Sequence, residues 1–96
     1  MEVVVAYDVS TESAAGRRRL RKVAKVCEGA GQRVQGSVFE CILTEGEHQL
    51  MVARLCRIID PSEDSLRIYR IREPHESSVE VFGRVIAFDI RDPLVL

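Results

Sequence analysis

The first apolar run of this chain ends on a carboxylate. Glu2-Val3-Val4-Val5-Ala6-Tyr7-Asp8 gives way to the polar break Asp8-Val9-Ser10-Thr11. A carboxylate at the carboxyl edge of a strand can hold a hard cation such as Mg²⁺ through oxygen. From position alone, the simpler role for Asp8 is to begin a turn or to cap the next helix. One carboxylate makes a poor metal site. A two-fold dimer could supply the second, because each residue near the axis meets its own copy.

The second chemical feature is a cluster of cations, Arg17-Arg18-Arg19-Leu20-Arg21-Lys22 followed by Lys25. At about 100° per residue, Arg18, Arg21, Lys22 and Lys25 share one helix face, and Arg17 and Arg19 stand at its margin. Such a face can neutralise phosphates and release counterions. A solvated helix surface would normally carry acids four residues away from its cations, yet Glu28 is the only acid between Ser13 and Gly31. The net charge of −1 therefore hides a local positive face, with Asp60, Glu63 and Asp64 balancing it elsewhere.

Other candidates are weaker. Cys27, Cys41 and Cys56 form no C-x-x-C pair and sit inside apolar patterns, as buried free thiols do. His48 and His75 have no partner at ligand spacing, and exposure to solvent is expected for both. Phe39 and Tyr69 lie in strand-like segments; stacking on bases is open to them, but core packing is the commoner use. The acids at 60–64 read as a charged turn. No G-x-G-x-x-G, Walker loop, H-E-x-x-H or Ser–His–Asp arrangement occurs, so nucleotide cofactors are not expected.

These residues need elements to place them. Glu2 to Val9 reads as a strand, covered on at least one face. A helix follows from about Ser13 to Gly29, with Leu20, Val23, Ala24 and Cys27 as its buried stripe and Gly29 and Gly31 as its stop. Residues 33–43 are extended, and the pattern admits one bent strand or two short ones broken at Gly36. Thr44-Glu45-Gly46-Glu47 is a capping box that opens a second helix reaching about Ile59, with Met51, Val52, Leu55, Ile58 and Ile59 on its apolar face. Pro61 stops it. Leu66 to Ile71 and Val79 to Phe88 read as strands, and the chain ends on Leu94-Val95-Leu96, an apolar tail that needs a surface. Dividing the middle segment gives a βαββαβ, ferredoxin-like α+β order with an extra C-terminal strand.

Ninety-six residues, 46% hydrophobic and 30% charged, describe one ordinary globular domain spanning 1–96. A domain of this size buries a modest fraction of its surface, which favours dimerisation. No apolar run nears the roughly 18 residues of a membrane span, and the start lacks a basic leader, so a cytoplasmic protein is expected.

Three groups of residues are recognisable together. They are Val4-Val5-Ala6-Tyr7-Asp8-Val9, Arg19-Leu20-Arg21-Lys22-Val23-Ala24-Lys25, and Gly31-Gln32-Arg33-Val34-Gln35-Gly36-Ser37-Val38-Phe39-Glu40-Cys41. With them the chain resembles the CRISPR-associated protein two family over nearly its whole length. Asp64 to Ile71 and the closing Asp92-Pro93-Leu94 are similar to the subgroup found with type I-C systems. Gly36 departs from the bulkier residue often seen before Ser37, which would loosen a hairpin there.

The resemblance implies a ferredoxin-like homodimer in which residues 79–96 contribute to the dimer and the last strand and tail add to the partner's sheet. It implies that two Asp8 carboxylates face each other and bind one Mg²⁺ or Mn²⁺, making Asp8 both metal ligand and catalytic residue. Tyr7, Arg17, Arg18, Arg19, Arg21, Lys22, Lys25, Arg33 and Phe39 carry over as residues around the nucleic-acid cleft. The implied activity is metal-dependent endonucleolytic cleavage of single-stranded RNA or double-stranded DNA. The implied setting is spacer acquisition beside CRISPR-associated protein one, the integrase. The alternative is a non-catalytic adaptor that binds duplex DNA within the integration complex.

Overall fold

The computed structural model describes residues 1–72 and 78–83. Its elements are β1 (Glu2–Asp8), α1 (Ala14–Ala30), β2 (Gly31–Gln35), β3 (Val38–Ile42), α2 (Glu45–Ile58) and β4 (Ser65–Ile71). The order is the expected βαββαβ. The four strands form one sheet in the order β2-β3-β1-β4, and each neighbouring pair is antiparallel.

Alternation along β1 sets the two faces of the sheet. Val3, Val5 and Tyr7 are buried, whereas Glu2, Val4, Ala6 and Asp8 point the other way. The register carries that division outward. Val5 pairs with Phe39 and Ile68 on the covered face; Val4 pairs with Glu40 and Tyr69 on the open one. The core joins Val3, Val5, Tyr7, Phe39 and Cys41 of the sheet to Val23 and Cys27 of α1 and to Met51 and Leu55 of α2. Both helices therefore lie on one face, and the other carries none of the described helices.

The helix ends follow local chemistry. Ser13 caps α1 by accepting from the Gly16 N–H, 3.0 Å away. Val23 and Cys27 are buried and Leu20 is partly so, as the stripe requires. Of the two glycines expected to stop the helix, it passes Gly29 and is capped by Gly31. It ends when the extended Gly31 donates its N–H to the Cys27 carbonyl and becomes the first residue of β2, so no loop intervenes. At α2 the capping box is closed both ways: Glu47 N–H reaches Thr44 Oγ1 at 3.1 Å, and Thr44 N–H reaches Glu47 Oε1 at 2.8 Å.

Residues 31–42 are two strands, not one. Gly36 and Ser37 form the turn, and the β2–β3 hairpin closes despite Gly36, with a register shift between Arg33 and Gln35. The expected strand from Val79 to Phe88 is not formed over 79–83, where Val81 and Phe82 are exposed; residues 84–88 and the apolar tail lie outside the described residues.

Candidate metal and nucleic-acid site

Asp8 is the last residue of β1 and pairs in register with Ser65 at the start of β4. Because strand side chains alternate, Tyr7 enters the helix-covered core and Asp8 emerges exposed on the open face. It brings one hard oxygen ligand to that face. Among the described residues, no group of three or more His, Cys, Asp or Glu side chains comes together. The donor fits a hard cation only if a second copy supplies another.

The loop after Asp8 is anchored through Asp64. The Ser10 N–H donates to Asp64 Oδ1 at 3.1 Å, and the Asp60 N–H donates to Oδ2 at 2.8 Å. Arg19 donates from Nε to Oδ2 at 2.8 Å and from Nη2 to Oδ1 at 3.3 Å, and Nη2 also reaches Glu63 at 3.0 Å. The Asp64 side chain has no exposed surface and that of Arg19 is 16% exposed. The Arg19 guanidinium, helped by these backbone donors, holds the Asp64 carboxyl at about 2, and the same pairing pushes Arg19 up.

The remaining cations of α1 are oriented differently. Arg18, Arg21, Lys22 and Lys25 are exposed, and none has an ion-pair partner among the described residues. Arg17 donates to the Thr11 carbonyl at 3.1 Å. Arg17 and Arg18 sit near the helix N-terminus, whose first turn holds no acid, so they oppose the helix dipole rather than complement it. Their placement raises the local positive potential at some cost to the helix.

Among known proteins, a family model described as "CRISPR associated protein Cas2" matches residues 1–79. The chain belongs to the Cas2 family. It is 50% identical over 96 residues to the CRISPR-associated endoribonuclease Cas2 1 of Moorella thermoacetica, covering 100% of both chains. It is 46% identical over 95 residues to the CRISPR-associated endonuclease Cas2 of Halalkalibacterium halodurans, covering 99% of each. The crystal structure of Streptococcus pyogenes Cas2 superposes with a TM-score of 0.77 at 51% identity, covering 86% of this chain and 100% of that one. Another Cas2 crystal structure, 29% identical, gives 0.70 over 100% of this chain and 95% of its own. The family and the observed topology agree on a ferredoxin-like α+β fold.

Against this Cas2 frame the expected site residues divide. Asp8, Arg17, Arg18, Arg21, Lys22 and Lys25 are exposed. Direct nucleic-acid contact by Tyr7 and Phe39 is corrected, because the rings are 6% and 0% exposed and stack on each other in the core, 6.2 Å between centres. Burial also pushes the Tyr7 hydroxyl up, keeping it neutral. A phosphate role for Arg19 is corrected too: its guanidinium is engaged by Asp64 and Glu63. Arg33 is intermediate, resting on the Phe39 ring and paired with Glu28 at 2.8 Å. Two residues that sequence reasoning missed are Asp64, read only as a turn acid, and Gly16. A Cβ on Gly16 would collide with the Ser10 carbonyl oxygen. Only a glycine so early in a basic helix hinted that a backbone crosses there.

No described helix is long and apolar enough to cross a membrane.

Proposed function

We propose that this chain is a CRISPR-associated endonuclease whose reacting centre is built from Asp8 of two copies. The observation that carries the reading is the exposed Asp8 at the end of β1, on the sheet face without described helices, in a chain whose relatives are named endoribonuclease or endonuclease. That face also presents Val4, Ala6, Val38, Ile42 and Tyr69, with Ile42 79% and Tyr69 49% exposed. A second copy lying over it would bury apolar surface and bring a second carboxylate to the first.

Asp8 and its symmetry mate would hold Mg²⁺ or Mn²⁺, which when bound supplies an activated water and polarises a phosphodiester. The exposed cations Arg18, Arg21, Lys22 and Lys25 would bind the backbone of RNA or DNA and orient it. No side chain here is assigned as general base. The setting would be spacer acquisition in the cytoplasm, with CRISPR-associated protein one as partner.

A second reading is favoured by a specific feature: among the described residues, no three His, Cys, Asp or Glu side chains come together around Asp8, whereas α1 exposes five cations, Arg17, Arg18, Arg21, Lys22 and Lys25, without ion-pair partners. A duplex-binding adaptor in the integration complex needs the cations and not the carboxylate.

Incubating the purified dimer with single-stranded RNA and with linear duplex DNA, in Mg²⁺, Mn²⁺ or chelator, separates the two. Metal-dependent cutting lost in Asp8→Asn supports the nuclease and shows its substrate. No cutting, with nucleic-acid binding intact in both proteins, leaves the adaptor.

A further inference from the structure

We infer that Asp64 is a positioning residue for Asp8: through the Ser10 peptide and the Arg19 guanidinium it fixes the β1–α1 junction from which the Asp8 carboxylate projects. The inference rests on the reading of Asp8 as the metal-holding residue and adds to it a residue 56 positions away.

The Ser10 peptide, two residues beyond Asp8, is restrained on both sides. Its N–H is taken by Asp64 Oδ1, and its carbonyl oxygen lies where a Cβ of Gly16 would be. The next residue is held by Arg17, which donates to the Thr11 carbonyl. Asp64 is itself immobilised. It accepts from Asp60 and Arg19, and its neighbour Ser65 is the register partner of Asp8 on β4. One buried carboxylate thus joins the strand end carrying Asp8, the turn before β4 and the second turn of α1.

A cation shared by only two carboxylates has few ligands, so its affinity depends on how well each is held before it binds. Partners that orient a ligand from behind typically contribute about 10–100-fold to metal affinity. Asp64 acts one step further back, through the Ser10 N–H two residues beyond Asp8. A purely structural acid would contribute to melting temperature and leave the affinity of the folded protein alone.

The test uses full-length dimer: wild type, Asp8→Asn, Asp64→Asn and Arg19→Lys. Mn²⁺ affinity is read by electron paramagnetic resonance, and the Val9 and Ser10 amides by ¹⁵N NMR, at a temperature well below every variant's melting point. The expected result is loss of Mn²⁺ binding in Asp8→Asn and several-fold weaker binding in Asp64→Asn. The Ser10 amide should shift, and nucleic-acid affinity should hold. Wild-type Mn²⁺ affinity in a folded Asp64→Asn, beside an Asp8→Asn that no longer binds Mn²⁺, overturns the positioning role and spares the Asp8 reading. Full Mn²⁺ affinity in Asp8→Asn overturns both. If Asp64→Asn does not fold, Arg19→Lys decides: it keeps the charge but loses the two-point grip on Asp64, and unchanged Mn²⁺ affinity there overturns the proposal.

Discussion

The Arg33 guanidinium lies 4.9 Å from the centre of the Phe39 ring, and the two residues are register partners on β2 and β3. Phe39 also stacks on Tyr7 at an interplanar angle of 22°. The three side chains form a layer from the half-exposed Arg33 to the core, so the aromatic pair acts on the surface through the strand and the cation it supports. Truncation should therefore act through folding. Phe39→Ala is expected to lower unfolding free energy by about 3–5 kcal/mol, as aromatic deletions in cores do, measured by urea denaturation. The folded fraction should keep its nucleic-acid affinity; a large loss of affinity at unchanged stability would refute the assignment of Phe39 to the core.

What could be read in advance followed local rules. The Thr44 capping box, the Val23–Cys27 stripe and the β-branched run of β1 are short-range patterns, and each has its counterpart in the fold. Asp8 was legible for the same reason, since the polar break after the apolar run puts it at the carboxyl edge of the strand. Arg19 was not. It sits between exposed Arg18 and half-buried Leu20 on a basic helix, and the acids that claim it come from a turn 44 and 45 residues away. Helical periodicity carries no such information. Phe39 could be placed in a strand but assigned to a face only once β1 supplied its register.

Reversing two of the exposed cations should affect binding without unfolding the chain. Arg18→Glu combined with Lys22→Glu is expected to weaken duplex binding and to make its salt dependence shallower, by about 0.9 in the log–log slope for each phosphate that the helix no longer neutralises. Fluorescence anisotropy across a salt series measures both. Arg19→Ala should do the reverse, lowering the melting temperature while leaving the salt slope in place. A slope unchanged in the double variant would remove α1 from the interface.

Two glycines of one helix should respond oppositely to a methyl group. At Gly29 a Cβ meets open space, so Gly29→Ala should stabilise by about 0.5–1 kcal/mol through helix propensity. At Gly16 the Ser10 carbonyl oxygen blocks it, and because that atom is backbone the loop must move. Gly16→Ala should lower the melting temperature despite alanine's higher propensity. Circular dichroism melts of the two variants test the close approach directly.

The three cysteines should separate by accessibility. Cys27 and Cys41 are buried, and burial pushes their thiols up to about 12 and about 11; Cys56 is exposed. Native protein should react with one equivalent of a thiol reagent per chain at neutral pH, and denatured protein with three, counted by absorbance. Because the folded thiols titrate above the ordinary value of 9.0, stability should be insensitive to them below pH 9 and fall as pH rises beyond it, where only the unfolded chain gives up these protons.

Asp64 should make the fold acid-sensitive in a definite window. Its carboxyl titrates at about 2 when folded, against 3.8 ordinarily, so the unfolded chain takes up this proton first as pH falls. The contribution is complete above about pH 5 and declines toward pH 2 as the paired carboxylate is protonated. Melting temperature of the wild type should fall through that interval. Asp64→Asn should start lower at pH 7 and show a shallower decline, because one carboxylate that distinguishes folded from unfolded is gone. Parallel curves for the two proteins would mean that Arg19, Ser10 and Asp60 do not hold a charged Asp64 in solution.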